Sequence, residues 1–91
     1  MVDKNTTPKA MQLSEFNTEL TVDARDLRCP LPLLKAKQAL HSIQPGQCVR
    51  VLATDKGSVR DFHTFARLSG NELVHFGESQ QVYEYILRKA S

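Results

Sequence analysis

The sequence is short of the features that mark several large classes of protein. It holds no apolar run near the ~20 residues that a membrane-spanning helix needs, and no apolar segment near its start that is typical of a secretory signal. Its two cysteines, Cys29 and Cys48, are too few for a disulfide framework and are not spaced like a Cys-x-x-Cys pair or a zinc site. The net charge of +2 is too small to indicate nucleic acid or an anionic membrane as a partner. We therefore expect a cytoplasmic protein with free thiols, and we predict neither a metal site nor a cofactor.

What remains is ordinary for one small globular domain: 91 residues, of which 41% are hydrophobic and 24% charged. Residues 1–17 are rich in Lys, Asn, Thr, Ser and Gln and follow no sustained apolar period. We expect them to form a flexible tail, with an arm that docks on a partner as the alternative. The domain itself is predicted to span residues 18–91.

Apolar spacing in residues 18–91 predicts four strands and two helices. Strands are indicated where apolar residues alternate, and helices where they recur every three to four residues. The predicted order is a strand at 20–24, a helix from Pro30 to the Pro45-Gly46 turn, a strand at 47–53, a helix between the turn at 55–58 and Gly70, and strands at 72–77 and 82–88. This β-α-β-α-β-β order predicts an α+β two-layer sandwich, in which two helices cover one face of a mixed four-stranded sheet.

Cys29 stands directly before Pro30, at what we predict to be the first turn of a helix. Proline is favoured at the first helical position, where its missing N–H would have no partner anyway, and Pro32 still lies in the tolerated first turn. Cys29 is thus predicted to be the N-cap or its neighbour, near free backbone N–H groups and the positive end of the helix dipole. With Arg25 and Arg28 nearby, this environment would favour the thiolate, which is the reactive form of cysteine.

A buried, inert Cys29 is the alternative, because free cysteine is among the most buried residue types. Cys48 lies in the predicted second strand and is interpreted as a packing residue, with a role as a resolving thiol as the alternative. Leu31 and Leu34 either pack in the core or form an apolar surface beside the thiol that a partner covers.

Polar residues after the second predicted strand have structural interpretations of their own. Ser58 and Asp61 are spaced like a capping box, and Asp55 and Asp61 would also stabilise the positive end of the helix dipole. His63 and His75 stand alone, without a second ligand at metal spacing, and are interpreted as structural or surface residues.

The segment from Val22 to Pro32, with its Cys-Pro-x-Pro motif, resembles the signature of the TusA (SirA/YeeD) family of small sulfur carriers. The family usually has glycine where this chain has Asp26, which suggests either a backbone position with φ > 0 or the close approach of a partner. Asp tolerates φ > 0 better than most residues. The resemblance spans roughly residues 19–89, and its further matches are Gln44-Pro45-Gly46, Ala53-Thr54-Asp55, Arg60-Asp61 and Tyr85-Ile86-Leu87-Arg88-Lys89.

The resemblance implies that Cys29 carries a sulfane sulfur as a persulfide. The sulfur would come from a cysteine desulfurase or a rhodanese and pass to an acceptor protein, for tRNA thiolation, sulfur oxidation or cofactor assembly. It also implies the same two-layer architecture, and it places Asp55, Arg60 and Asp61 near the carrier thiol or its partner surface. A carrier of this kind acts as a sulfurtransferase only together with its partner proteins.

Two other functions are compatible with the predicted fold. One is a non-catalytic interaction or regulatory module, in which Cys29 is structural. The other is an RNA-binding domain, because small sandwiches of this order do bind RNA. The sequence offers no Gly-x-x-Gly loop and no strand with clustered aromatic and basic residues, so direct RNA binding is the less favoured of the two.

Overall fold

The computed structural model of the chain describes residues 18–90, and the predicted tail over residues 1–17 lies outside them. The observed order of elements is the predicted one, and the boundaries differ from the predicted ones by a few residues. The six elements are β1 (Thr18–Ala24), α1 (Leu31–His41), β2 (Cys48–Ala53), α2 (Gly57–Ser69), β3 (Glu72–Ser79) and β4 (Val82–Arg88).

The four strands form one mixed sheet with the order β1-β2-β4-β3. β1 and β2 run parallel and are connected through α1, whereas β4 pairs antiparallel with both β2 and β3. In the β3–β4 hairpin, Gln80 and Gln81 take up φ values of 52° and 68°, as a tight hairpin turn requires. The mixed sheet and the β-α-β-α-β-β order confirm the predicted fold class.

Both helices pack on the same face of the sheet, because their buried residues share one core with alternate residues of the central strands. Phe62 of α2 stacks on Tyr85 of β4 with ring centroids 4.1 Å apart, and neither side chain is accessible to solvent. Burying a large apolar side chain contributes about 1.5–3 kcal/mol, so this face holds the two layers together. The core consists of Ala24, Ala36, Leu40, Ile43, Val49, Val51, Ala53, Phe62, Tyr83, Tyr85 and Leu87.

The ends of the two helices agree only in part with the sequence patterns. Gly70 ends α2 in the left-handed conformation with φ of 83°, as its place after the apolar stripe predicted. The predicted first turn of α1 is wrong by one residue: Pro30 is the N-cap, and the helix begins at Leu31, so that Pro32 occupies its second position. Within residues 18–90, neither helix has the length and apolar character to cross a membrane.

Candidate functional site

Parallel pairing of β1 and β2 brings two loops together at one edge of the sheet. Ala24 and Ala53, the last residues of these strands, are paired in the ladder, so the segments that follow them leave the sheet side by side. The backbone N–H of Asp26 donates a hydrogen bond of 2.9 Å to Oγ1 of Thr54, which ties the two loops to each other. This edge carries the Cys-Pro-x-Pro motif on one loop and Asp55 on the other.

Asp26 adopts the backbone conformation that the family's usual glycine suggested. Its φ is 68°, in the left-handed region. Only glycine reaches this region without cost, and Asp and Asn are among the residues that reach it most readily. The expectation of φ > 0 at this position is therefore confirmed.

Cys29 is exposed, which contradicts the alternative of a buried thiol. It lies one residue before the N-cap, and its peptide bond to Pro30 is cis. The first turn of α1 offers few free N–H groups to the sulfur, because Pro30 and Pro32 have none. The N–H of Leu31 donates to the carbonyl of Arg28.

The Cys29 thiol donates a hydrogen bond to Oδ2 of Asp61, which lies 32 residues further along the chain in α2. This hydrogen bond raises the pKa of Cys29 above its ordinary value, and desolvation and the negative charges of Asp61 and Asp55 act in the same direction. The charge of Arg60 opposes them and lowers the pKa. The predicted stabilisation of a thiolate is thus wrong for the protein without a partner, because a carboxylate, and not an array of amides, faces the sulfur.

The two arginines of the motif do not act on Cys29 as predicted. Arg25 forms a bidentate ion pair with Asp23, with Nε–Oδ1 and Nη2–Oδ2 distances of 2.8 Å. The side-chain hydrogen bonds of Arg25, followed by its backbone hydrogen bond, lower the pKa of Asp23 to about 2. Arg28 is exposed on the same loop. The cation that acts on the thiol is Arg60, which the resemblance placed near the thiol or its partner surface.

Gly57 allows the start of α2 to pack against the loop of Cys29, a role that no pattern in the sequence indicated. A Cβ at this position would lie 2.9 Å from Oδ2 of Asp55, 3.3 Å from Cβ of Cys29 and 3.6 Å from its Sγ. The N–H of Gly57 also donates a hydrogen bond of 3.0 Å to the same Asp55 oxygen. The Asp-x-Gly spacing was visible in the sequence, but only the fold shows that Cys29 occupies the space that a side chain would need.

The predicted capping box is wrong, because its two members have other partners. Oγ of Ser58 donates a hydrogen bond of 2.7 Å to the carbonyl of Asp55 and lies 2.8 Å from the hydroxyl of Tyr85. The carboxylate of Asp61 accepts the Cys29 thiol instead of a backbone N–H. The N-cap of α2 is Lys56, and it has no side-chain capping hydrogen bond.

An open groove of about 480 Å³ runs between the two helices and reaches Asp61. Leu68 in the lining of this groove is 73% exposed, and Leu31 and Leu34, at the start of α1 after Cys29, are each 46% exposed. Exposed apolar side chains of this size near a reactive group are typical of a contact surface. The groove is lined by Leu33, Lys37, Arg60, Asp61, Thr64, Phe65, Leu68 and Ser69.

Cys48 is 5% exposed, which confirms its predicted burial. It begins β2, whereas Ala53 ends that strand near Cys29, and five residues of strand span about 16 Å. This distance contradicts the alternative of a resolving thiol. His63 contacts the carbonyl of Val59, and no cluster in residues 18–90 has three side chains suited to hold a metal ion.

Comparison with known proteins agrees with this arrangement. A family model described as sulfurtransferase TusA matches residues 20–89. The sulfur carrier protein TusA of Allochromatium vinosum is 42% identical over 78 residues, which cover 86% of this chain and 100% of that protein. A putative sulfur carrier protein of Neisseria meningitidis serogroup A is 41% identical over 73 residues, which cover 80% of this chain and 97% of that protein.

The fold has a solved counterpart as well. The crystal structure of a SirA-like protein from Desulfitobacterium hafniense matches with a TM-score of 0.69 and 26% sequence identity, over 79% of this chain and 99% of that one. The residues that the family model matches include the Cys-Pro-x-Pro segment and both loops at the sheet edge. The chain therefore belongs to the TusA family of sulfur carriers.

Proposed function

We propose that Cys29 holds a sulfane sulfur as a persulfide and relays it from a donor protein to an acceptor protein. The observation that carries this proposal is the exposed thiol at the edge of the sheet, which is hydrogen-bonded to Asp61 of α2 in a space that Gly57 leaves open. A carrier needs a nucleophilic sulfur on a rigid mount, and it needs no enclosed substrate pocket because its partner supplies the other half of the site.

Loading is a transfer between two thiols. The Cys29 sulfur attacks the outer sulfur of the donor's persulfide, a new S–S bond forms, and the donor's own S–S bond breaks. The donor cysteine leaves as a thiolate and takes up the proton that Cys29 gives up. The donor persulfide and the Cys29 thiol thus become a donor thiol and a Cys29 persulfide, with no external oxidant or reductant. Unloading repeats the same step with an acceptor thiol.

The partners that fit this chemistry are a cysteine desulfurase or a rhodanese-type enzyme as donor, and a sulfur-accepting protein downstream. The exposed Leu31 and Leu34, which follow Cys29 at the start of α1, offer an apolar surface that such partners would cover. tRNA thiolation, sulfur oxidation and cofactor assembly all use this transfer chemistry. A reactive free thiol persists in a reducing compartment, so we place the carrier in the cytoplasm.

Mass spectrometry of the intact protein tests the proposal. The wild type, Cys29→Ser and Cys48→Ser are each incubated with a cysteine desulfurase and cysteine. We expect the wild type and Cys48→Ser to gain the mass of one sulfur atom, which dithiothreitol then removes, and Cys29→Ser to gain none. A folded Cys29→Ser protein that still gains sulfur would refute the proposal, as would a wild type that gains none. Because Cys48 is buried, it serves as the matched control for the loss of a thiol.

A further inference from the structure

Asp61 lies on the side of α2 that faces residues 25–30, the loop between β1 and α1 that holds Cys29 and is called the carrier loop below. It follows Gly57 by four residues, so the two lie on the same face of the helix, and both contact Cys29. Asp61 is half-buried, and its Oδ2 accepts the thiol hydrogen bond from the exposed Cys29. The hydrogen bond thus joins the loop of Cys29 to α2 and fixes the direction of the sulfur.

Neither the helix dipole nor helix capping accounts for a carboxylate at this position. The helix dipole stabilises negative charge within the first turn of a helix. Because α2 begins at Gly57, Asp61 is its fifth residue and lies beyond that turn. At the start of α2 the carboxylate that accepts a backbone N–H is that of Asp55, which binds the N–H of Gly57, and the N-cap Lys56 makes no side-chain capping hydrogen bond. What Asp61 does in the structure is bind the thiol of Cys29.

We propose that Asp61 is a positioning residue for sulfur transfer, which holds Cys29 as a hydrogen-bonded thiol and which must release it before the sulfur can attack a donor. This inference rests on the proposed function. Cys29 can donate the hydrogen bond to Asp61 only while its sulfur is protonated as a thiol. The attack turns that sulfur into one member of an S–S bond, and the proton leaves with the donor's departing thiolate. Loading therefore ends the Cys29–Asp61 hydrogen bond.

The electrostatics of the site support a restraining role. The charged groups that act on Cys29 are Asp61 and Arg60 of α2 and Asp55 of the preceding loop, and the two carboxylates outweigh the one guanidinium. Thiol–disulfide exchange proceeds through the thiolate, so a group that holds the proton on sulfur slows the attack near neutral pH. Replacing Asp61 by a neutral residue of the same shape lowers the pKa of Cys29 and frees its sulfur.

The test is the pH profile of Cys29 reactivity in a Cys48→Ser background, in which Cys29 is the one remaining thiol. Iodoacetamide alkylation reports the thiolate fraction, and loading by glutathione persulfide reports sulfur transfer without a protein partner. For Asp61→Asn we expect the alkylation midpoint to fall to lower pH, and both rates at pH 7 to rise severalfold. The control is Glu72→Gln, which removes an equal charge from the exposed Glu72–Arg88 ion pair on β3 and β4, far from Cys29. We expect it to leave the alkylation midpoint and the two rates unchanged.

The outcomes separate this inference from the proposed function. An Asp61→Asn profile identical to that of the parent would overturn the inference, as would a lowered midpoint without faster loading. A parent that is alkylated normally but takes sulfur neither from glutathione persulfide nor from a cysteine desulfurase with cysteine would instead refute the carrier function. Asp61→Glu keeps the carboxylate and is expected to restore the parent midpoint. If Asp61→Asn does not fold, an Asp61→Glu midpoint that lies below the parent's would count against the inference.

Discussion

Tyr85 of β4 donates a hydrogen bond of 2.8 Å to Oγ of Ser58 in α2. The direction follows from proton count, because the one hydroxyl proton of Ser58 goes to the carbonyl of Asp55 at 2.7 Å. Ser58 is 1% exposed and Tyr85 is fully buried. A chain of two hydrogen bonds therefore links the centre of the sheet to the turn that presents Asp55 and Gly57 to Cys29.

Tyr85→Phe should lower the free energy of unfolding by about 1–2 kcal/mol, because it removes the donor and leaves Oγ of Ser58 with one buried acceptor unpaired. The ring and its stacking on Phe62 remain. Urea unfolding followed by circular dichroism measures the loss. The control is Tyr83→Phe, which removes a hydroxyl from the same face of the same strand. Equal decreases in the free energy of unfolding of the two variants would show that the hydrogen bond to Ser58 does not stabilise the fold more than another tyrosine hydroxyl does.

The sequence correctly predicted the structural properties that depend on residues close together in the chain. Alternation in β1, β2 and β4 and the apolar stripes of the two helices indicated the elements, and their order indicated the sandwich. The φ of Asp26 followed from the glycine that the family has at that place. Each of these properties depends on local backbone chemistry or on a repeat of two to four residues.

The site was less predictable, because it joins residues that are distant in sequence. Asp61 was assigned to a capping box on its spacing from Ser58, yet α2 begins at Gly57 and turns Ser58 towards the core and Asp61 towards Cys29. Arg25 was expected to favour a thiolate, but its nearest carboxylate is Asp23, two residues earlier. That local pairing was open to prediction from the residues alone. The contact across 32 residues was not, and only the family resemblance placed Asp61 near the thiol or its partner surface.

Asp26→Val should destabilise the protein by about 1–2 kcal/mol, because a β-branched residue is strained at a φ of 68°. Asp26→Gly should change the free energy of unfolding by less than about 1 kcal/mol, since glycine accepts this conformation but loses more entropy on folding. Urea unfolding distinguishes them. Lys56→Val, at an exposed loop residue with φ of −63°, is the control; a loss at Lys56 as large as at Asp26 would contradict the argument from backbone strain.

The Asp23–Arg25 ion pair should appear in a carboxyl titration followed by nuclear magnetic resonance. The pKa of Asp23 is about 2, and the cause is its hydrogen bonds with Arg25, so Arg25→Gln should raise the midpoint. Because the folded-state pKa lies below that of the unfolded chain, the pair stabilises the fold at pH values above the ordinary carboxyl range and ceases to do so as pH falls through about 2. Arg28→Gln, on the same loop, should leave the titration midpoint of Asp23 unchanged. An equal shift would mean that the positive charge of the loop as a whole, and not the ion pair with Arg25, lowers the pKa of Asp23.

Gly57→Ala should reduce the reactivity of Cys29 without unfolding the protein. The new methyl group would lie 2.9 Å from Oδ2 of Asp55 and 3.6 Å from Sγ of Cys29, so the carboxylate must leave its hydrogen bond with the N–H of residue 57 and the sulfur becomes more covered. Gly57 lies outside the positive-φ region, so the lower chain entropy of alanine stabilises by about 0.4–1 kcal/mol, which the lost hydrogen bond of about 0.5–1.5 kcal/mol offsets. We expect severalfold slower iodoacetamide alkylation and slower sulfur loading, with the free energy of unfolding changed by less than about 1 kcal/mol.

Lys56→Ala is the matched control for Gly57→Ala, because it changes the preceding residue of the same turn, which is exposed. Its alkylation rate should equal that of the parent. If Gly57→Ala reacts as fast as the parent and Lys56→Ala, the close approach of the start of α2 to the carrier loop has no effect on the reactivity of Cys29. The Asp61 hydrogen bond alone would then hold the thiol in place. If Gly57→Ala reacts slowly and Asp61→Asn reacts fast, the two contacts act on the sulfur in opposite ways. Gly57 then keeps the sulfur open to a partner, and Asp61 keeps its proton in place until that partner arrives.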